Sequence, residues 1–285
     1  DPQVEPKVPS RRRFIDAKLS SSAAHIFQRQ RAAVCAYWGA GWGMTMEQWF
    51  TWTNENYAYG LNLFDPHLAP YTMGAGWYEW VPPAHYFYQP YWEHFRWFSE
   101  YVRRLSYMMS QGVHRPDLAI LFPTTTIHAN WTRGHRYNLA ADIAASATYN
   151  MADSLYTGGL DFDFIDDKTL SQADIGDGVL CVSGLQFRAV ALPPMTTIRI
   201  PTLQMIKGFF DSGGTILAYG RLPSASAENG RDDPQIRSIL DKVFGVPSTD
   251  GYDHSVGLGK DQHENFFQES ILVNRNVKGG VAIFM

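Results

Sequence analysis

The sequence predicts an α/β protein built from two units. Short apolar runs alternate with longer stretches of helical period, which is the pattern of strands joined by helices. Glycine closes most of the helical stretches, as at Gly60, Gly158-Gly159 and Gly213-Gly214. Residue usage also changes midway. Eight of the nine tryptophans and ten of the fifteen tyrosines lie between Tyr37 and Tyr107. The second half is rich instead in Ile, Leu, Val, Gly and Thr. The break falls near Gly112 to Pro116, so residues 1–115 and 116–285 are expected to be separate domains.

In the first half, Arg31 to Trp38 reads as a buried strand, followed by the loop Gly39-Ala40-Gly41-Trp42-Gly43. Thr45 is positioned as a helix N-cap, and Gln48 three residues on completes a capping box. The helix from Met46 to Tyr59 ends at Gly60. Leu61 to Phe64 is a second strand, and Asp65-Pro66-His67 opens a loop that reaches about Pro90. The helix Tyr91 to Ser110 carries Phe95, Phe98, Val102, Leu105 and Met109 at three- and four-residue spacing.

The second half repeats this grammar. Asp117 to Phe122 is a strand, Tyr137 to Tyr156 a helix and Phe162 to Ile165 a strand. Gly178 to Val182 and Ala189 to Leu192 are expected to pair across a turn. Ile200 to Ser212 is a helix, Thr215 to Tyr219 a strand, and Asp233-Pro234 opens a helix reaching Phe244. Val281 to Phe284 is the last strand. Such alternation predicts an open, doubly wound parallel sheet with helices on both faces.

Composition excludes several function classes. The 285 residues are 45% apolar and 18% charged, a folded chain with a core. With 24 basic and 28 acidic residues the net charge is -4, so no extended nucleic-acid surface is expected. The basic run Arg11-Arg12-Arg13 reads as a solvated terminal segment. No run of apolar residues is long enough for a membrane helix. The chain begins with Asp, as expected of a processed chain or part of a longer one. Two cysteines, Cys35 and Cys181, support neither a disulfide framework nor a metal cluster, and they leave the compartment open. The single sequon Asn130-Trp131-Thr132 tilts the reading slightly toward a secreted protein. P-loop, G-x-G-x-x-G, H-E-x-x-H, C-x-x-C and G-x-S-x-G motifs are absent, so no cofactor and no metal site is read from the sequence.

The positive signal is aromatic. Sugar rings stack their C–H faces on Tyr and Trp, and loops after strands are where α/β folds place their sites. Tyr37, Trp38, Trp42, Tyr86 and Tyr88, at strand ends or in loops, are therefore candidate substrate contacts, with His67 as a hydroxyl-binding partner. Trp77 stands in the same long loop. The helix-borne Trp49, Trp52, Trp92 and Trp97 are expected in the core. Asp65 is the carboxylate at a strand end in this half, while Glu47, Glu55, Glu93 and Glu100 are expected to be solvated. His25 is expected to cap or pack. Cys181 lacks a tight turn and a His partner, so it reads as an inert thiol.

Several segments in order carry a resemblance: Ser22-Ala23-Ala24-His25, Ala36-Tyr37-Trp38-Gly39-Ala40-Gly41-Trp42-Gly43, Asn62-Leu63-Phe64-Asp65-Pro66-His67, Pro82-Pro83 through Pro90-Tyr91-Trp92, and Tyr101-Val102-Arg103-Arg104-Leu105-Ser106-Tyr107. They resemble large multidomain glycoside hydrolases related to the α-L-rhamnosidase family and, more distantly, β-galactosidases with a (β/α)8 barrel. The resemblance implies that the first half is a partial (β/α) barrel, the last two strands and helices of the whole. The second half, with Leu192-Pro193-Pro194-Met195, Gly213-Gly214-Thr215 and Gly220-Arg221-Leu222-Pro223, looks like the flavodoxin- or amidotransferase-like α/β domain that follows such barrels. The chain has room for two or three strands before Pro116, where a full barrel has about eight.

The resemblance further implies hydrolysis of O-glycosyl bonds in a glycan, and a catalytic Glu in the strand where Cys35 stands. Glycoside hydrolysis uses two carboxylates, and no Asp or Glu occurs from Lys18 to Thr45. Cys35, Asp65 and His67 are thus the candidate catalytic positions of a degenerate or incomplete site. Two other readings are a carbohydrate-binding protein without turnover and an interaction module oligomerising through its α/β domain.

Overall fold

The computed structural model describes residues 11–67, 69–72, 74, 85–134, 139–245, 272–275 and 281–284. Trp77, the Pro82-Pro83 pair and the expected helix start at Tyr137 lie outside the described residues. The chain forms two compact units, Asp1–His114 and Arg115–Met285. No helix among the described residues is long and apolar enough to cross a membrane.

The first unit is a β/α assembly: α1 (Arg11–Ile26), β1 (Ala33–Ala36), α2 (Met46–Ala58), β2 (Leu63–Pro66), a 3-10 turn at Trp92–His94 and α3 (Phe95–Met109). The segment Arg11–Arg13, read from the sequence as a solvated terminal segment, begins α1. That helix buries Phe14, Ile15, Ala17 and Ser21. Its signal was missed because Lys18, Ser21 and Ser22 occupy buried positions, which blurs the apolar stripe. Thr45 caps α2 as expected: its hydroxyl accepts from the Gln48 amide at 3.3 Å, and the Gln48 side chain accepts from the Thr45 amide at 2.9 Å.

Strands β1 and β2 run parallel with Cys35 opposite Asp65 and Ala36 opposite Pro66. Val34, Ala36 and Phe64 pack on the helices with Trp49, Phe95 and Phe98. Alternation along a strand then sends Ala33, Cys35, Leu63 and Asp65 to the opposite face, where all four are exposed. Asn62 fixes how the strands enter. Its side chain donates to the carbonyls of Gln30 and Met109, both at 3.1 Å, and accepts from the Ala32 amide at 2.9 Å.

The second unit holds β3 (Leu118–Leu121), α4 (Thr124–Asn130), α5 (Leu139–Thr157), β4 (Phe162–Ile165), α6 (Asp167–Ser171), β5 (Asp174–Gly176), β6 (Val179–Val182), β7 (Leu185–Phe187), β8 (Ala189–Leu192), β9 (Thr197–Ile198), α7 (Ile200–Asp211), β10 (Thr215–Ala218), β11 (Ala225–Ser226), α8 (Pro234–Phe244), β12 (Leu272–Arg275) and β13 (Val281–Phe284). The main sheet has the order β12-β13-β10-β8-β3-β4, parallel except for β12. Counting the five parallel strands in chain order gives 2-1-3-4-5, the flavodoxin-like doubly wound arrangement. Right-handed crossovers place α4 and α5 on one face of the sheet and α7 and α8 on the other.

The expected pairing of Gly178–Val182 with Ala189–Leu192 is not formed. Strand β6 instead joins β5 and β7 in an antiparallel meander, and β8 enters the main sheet between β3 and β10. Asp177-Gly178 and Ser183-Gly184 make the two tight turns, all four residues having positive φ. Right-handed strand twist matches turns of this hand, so the meander closes locally and leaves β8 free for the sheet.

Candidate functional site

Two places in this fold are where α/β architectures put their sites: the C-terminal ends of β1 and β2, and the point in the main sheet where strand order reverses.

At the first, the chain leaves β1 through Tyr37, which has φ of 67°, a left-handed conformation rare for a bulky residue. Its ring turns inward and is buried, against the expectation that it lines the site. It stacks on Trp49 at 4.7 Å between centroids. The Thr53 hydroxyl spends its one proton on the Trp49 carbonyl at 2.6 Å, so the Tyr37 hydroxyl is the donor in its 2.6 Å bond to Thr53. Burial pushes the Tyr37 phenol far above its ordinary pKa. Tyr37 is therefore a neutral anchor for the loop. Having turned Tyr37 in, the backbone turns Trp38 out, and its side chain is 67% exposed.

Below Trp38, the ladder continues one step past β2, where the His67 amide donates to the Ala36 carbonyl at 3.0 Å. The Trp38 ring stands edge-on to the His67 ring, 6.4 Å between centroids. His67 Nδ1 lies 4.0 Å from the Cys35 sulfur. Asp65, two residues before His67 and in register with Cys35, is exposed on the same strand face. Cys35, Asp65 and His67 are thus brought to one face by parallel register and two-residue alternation, and Trp38 joins them through the turn made at Tyr37. Asp65 is the one acidic residue of these two strands.

The other expected contacts sit differently. Trp42 is half-buried in its glycine loop. Tyr86 and Tyr88 pack on each other and on Phe87, with Tyr86 also against Trp92 at 5.6 Å. Trp92 and Trp97, expected in the core, are 42% and 72% exposed; Trp49 is buried. The apolar stripe of α3 is buried at Phe95 and Phe98, half-buried at Val102 and Leu105, and exposed at Met109.

Two residues that sequence reasoning did not single out lie beneath this surface. His85 is wedged among Trp49, Tyr37 and Phe95, at centroid distances of 4.2, 5.1 and 5.5 Å. Among the described residues, neither of its ring nitrogens has a hydrogen-bond partner, nor has the side chain of buried Gln89 four residues on, nor Trp49 Nε1. Burial drives the His85 pKa down from 6.5 to about 3, and the charge His67 can carry adds to the effect. A polar pair at four-residue spacing inside an aromatic run was the available signal.

At the second place, helix α4, which follows β3, is fastened to the start of β9, which follows β8. The Thr126 hydroxyl donates to the Thr197 carbonyl at 2.7 Å and accepts from the amides of Thr196 and Thr197 at 3.2 and 3.1 Å. Asn130 adds a bond to the Thr196 hydroxyl at 2.9 Å. Thr126 and Thr197 are buried here. Cys181 is far from this role in the fold, on β6 of the meander and half-buried.

No family model matches this chain, and no curated protein sequence matches it. Solved structures do. A rhamnosidase from Novosphingobium sp. PP1Y is similar with a TM-score of 0.60 at 15% identity, over 95% of this chain and 23% of that one. A catalytic mutant of Gan42B, a GH42 β-galactosidase from G. stearothermophilus, gives 0.52 at 15% identity, over 83% of this chain and 37% of that one. A β-galactosidase from Bacillus circulans sp. alkalophilus gives 0.53 at 13%, over 85% and 34%. The chain spans well under half the length of each. The likeness is one of fold, an α/β architecture with parallel sheets and alternating strands and helices.

Proposed function

We propose that this protein belongs to the glycoside-hydrolase lineage related to rhamnosidases and β-galactosidases, and that it engages glycans at the ends of β1 and β2. The single observation supporting this is the exposed Trp38 edge-on to His67, two residues after Asp65. It offers one stacking face beside groups that hydrogen-bond sugar hydroxyls. Asp65 supplies one carboxylate, and Cys35 occupies the position where the resemblance places the second. A thiol does not replace a carboxylic acid in protonating a glycosidic oxygen. On this reading the residues of β1 and β2 bind and orient sugar, and turnover requires a carboxylate from elsewhere.

The second unit is proposed to be the amidotransferase-like companion domain of such barrels, without transferase chemistry. Its strand-end crevice holds Thr126, Thr196 and Thr197 in place of a nucleophile.

The test is calorimetric titration of the chain with rhamnose- and galactose-containing oligosaccharides, run beside an aryl-glycoside hydrolysis panel. Binding without turnover is expected. Trp38→Ala is expected to weaken binding by about tenfold, the worth of one aromatic contact. Unchanged affinity in a folded Trp38→Ala protein would remove the site. Robust hydrolysis by the chain alone would overturn the assignment of Cys35.

A further inference from the structure

Helix α3 carries a second place where aromatic rings meet charge. Trp97, Tyr101, Leu105 and Met108 follow one another at four- and three-residue spacing and line a groove of about 420 Å³, with Arg96 and Arg104 along it. That volume lies in the range of small-ligand sites, roughly 300–1,000 Å³. We propose that this groove binds an acidic oligosaccharide, with sugar rings on Trp97 and carboxylates on Arg96 and Arg104. The inference goes beyond the glycan reading above. It uses no residue at the ends of β1 and β2, and neither site needs the other.

The argument begins with helical period. Phe95 and Phe98 turn α3 to the core. Each residue step rotates the side chain by about 100°, so Trp97 leaves the core beside Phe98 and is 72% exposed. The Arg96 guanidinium lies 6.0 Å from the Trp97 ring centre, which engages one face of the ring and leaves the other for a stacking partner. Helices ring the outside of a β/α barrel, so this flank of α3 is turned away from the strands. It lies on the helix side of β1 and β2, not on the face of Cys35 and Asp65.

The groove is held in shape from α2. The Tyr101 hydroxyl donates to the Asn54 side chain, and the Phe50 ring packs on Tyr101 with 5.0 Å between centroids. Its charge is positive. Glu100 is the acid in the lining, and it is engaged by Arg103 at 2.8 Å and lies 3.9 Å from Arg104. Arg103 offsets that acid, so Arg96 and Arg104 remain as excess positive charge on a chain whose net charge is -4. The Arg104 side chain is 77% exposed and open to an anion.

Spacing selects among anions. Arg96 and Arg104 are eight residues apart, about 12 Å along the helix axis. That suits charges carried at intervals along a chain better than charge gathered in one phosphate. Nucleic acid draws its affinity from many phosphate contacts and needs a denser row of cations. An extended peptide docks through its backbone, and the backbone of a helix interior is already paired with itself. A chain of uronic acids asks for less: a flat face for a ring and a cation for each of a few carboxylates.

The experiment titrates the full chain by calorimetry with tetragalacturonate and with its carboxyl-reduced, neutral counterpart. Saturable binding of the acid is expected, about tenfold tighter than that of the neutral chain. Trp97→Ala and Arg104→Gln are each expected to weaken it about tenfold. Glu100→Gln removes the opposing charge and should tighten it severalfold, a direction that a merely structural role would not produce. Arg29→Gln, which deletes an exposed cation outside the groove, should change nothing. No binding of the acid, equal binding of the neutral chain, or unchanged affinity in Trp97→Ala would overturn the proposal. Equal or tighter binding of single-stranded oligothymidylate would overturn the choice of ligand. Should a variant fail to fold, the natural chain alone decides. Saturating tetragalacturonate should slow phenylglyoxal modification of Arg96 and Arg104 at least threefold relative to Arg29, read by peptide mass; equal rates with and without it would refute the site.

Discussion

Acidification should loosen the first unit through a single histidine. His85 is neutral in the folded state because its ring is buried among Trp49, Tyr37 and Phe95 with neither nitrogen bonded. In the unfolded chain it titrates near 6.5, and in the folded chain at about 3. The sign follows from proton counting. Below 6.5 the unfolded state takes up a proton that the folded state refuses, so stability is intact above 6.5 and falls as pH drops toward 3. Each pH unit across this window removes about 1.4 kcal/mol. From pH 6.5 to 5 the expected loss is about 2 kcal/mol, and on the order of 5 kcal/mol is the ceiling for the whole window. Against a total domain stability of about 5–15 kcal/mol, that loss is a third or more of the whole.

The assay is urea unfolding at pH 7.5, 6.0 and 5.0 followed by tryptophan fluorescence, which reports the first unit because eight of nine tryptophans lie there. His85→Phe keeps the ring contacts and deletes both unbonded nitrogens. It should flatten the slope between pH 6.5 and 5 while leaving stability at pH 7.5 equal or higher, since a stranded buried polar group costs about 1–3 kcal/mol. Parallel slopes for the natural chain and His85→Phe would refute this account, as would strong destabilisation of the variant at pH 7.5.

Three further outcomes are expected. Asn62→Ala strands the Ala32 amide and the carbonyls of Gln30 and Met109, and should cost about 2–4 kcal/mol in urea unfolding of the first unit. Thr126→Val keeps shape but removes three hydrogen bonds between α4 and the start of β9. It should lower second-unit stability by about 2–3 kcal/mol, measured by thermal melts at 222 nm. Asp233 caps α8, and hydrogen bonds, first from Ser226 and then from the Gln235 amide and Asn229, hold its carboxyl below the ordinary range. Its contribution is therefore present above the ordinary carboxylate pKa and lost as pH falls through the depressed one. The melting temperatures of Asp233→Asn and the natural chain should converge on acidification.

Much of the fold could be read from residues because local and global signals agreed. Thr45 and Gln48 announced the start of α2, Gly60 its end, and Asp233-Pro234 the start of α8. Strands β4 and β13 fall where their apolar runs put them. The losses have physical causes. In α1, Lys18, Ser21 and Ser22 are buried where an apolar stripe would be sought. In the meander, the two turns at Asp177-Gly178 and Ser183-Gly184 outcompeted a longer-range pairing of equally apolar strands. At the site, strand alternation was enough to put Cys35, Asp65 and His67 on one face. The fate of Tyr37 was not legible, because a left-handed tyrosine is chosen by the stacking partner its ring finds on α2, not by its neighbours in sequence.

The threonine clasp between α4 and the start of β9 has a consequence on the clock of hydrogen exchange. Loop amides usually exchange within seconds because brief local openings expose them. The amides of Thr196 and Thr197 point at one buried hydroxyl, so neither reaches solvent unless Thr126 withdraws and its whole helix shifts. Their exchange should follow the opening of the central sheet, alongside the amides of β3 and β8. A loop that in other doubly wound proteins flexes to admit a ligand would here be among the slowest backbone segments of its domain.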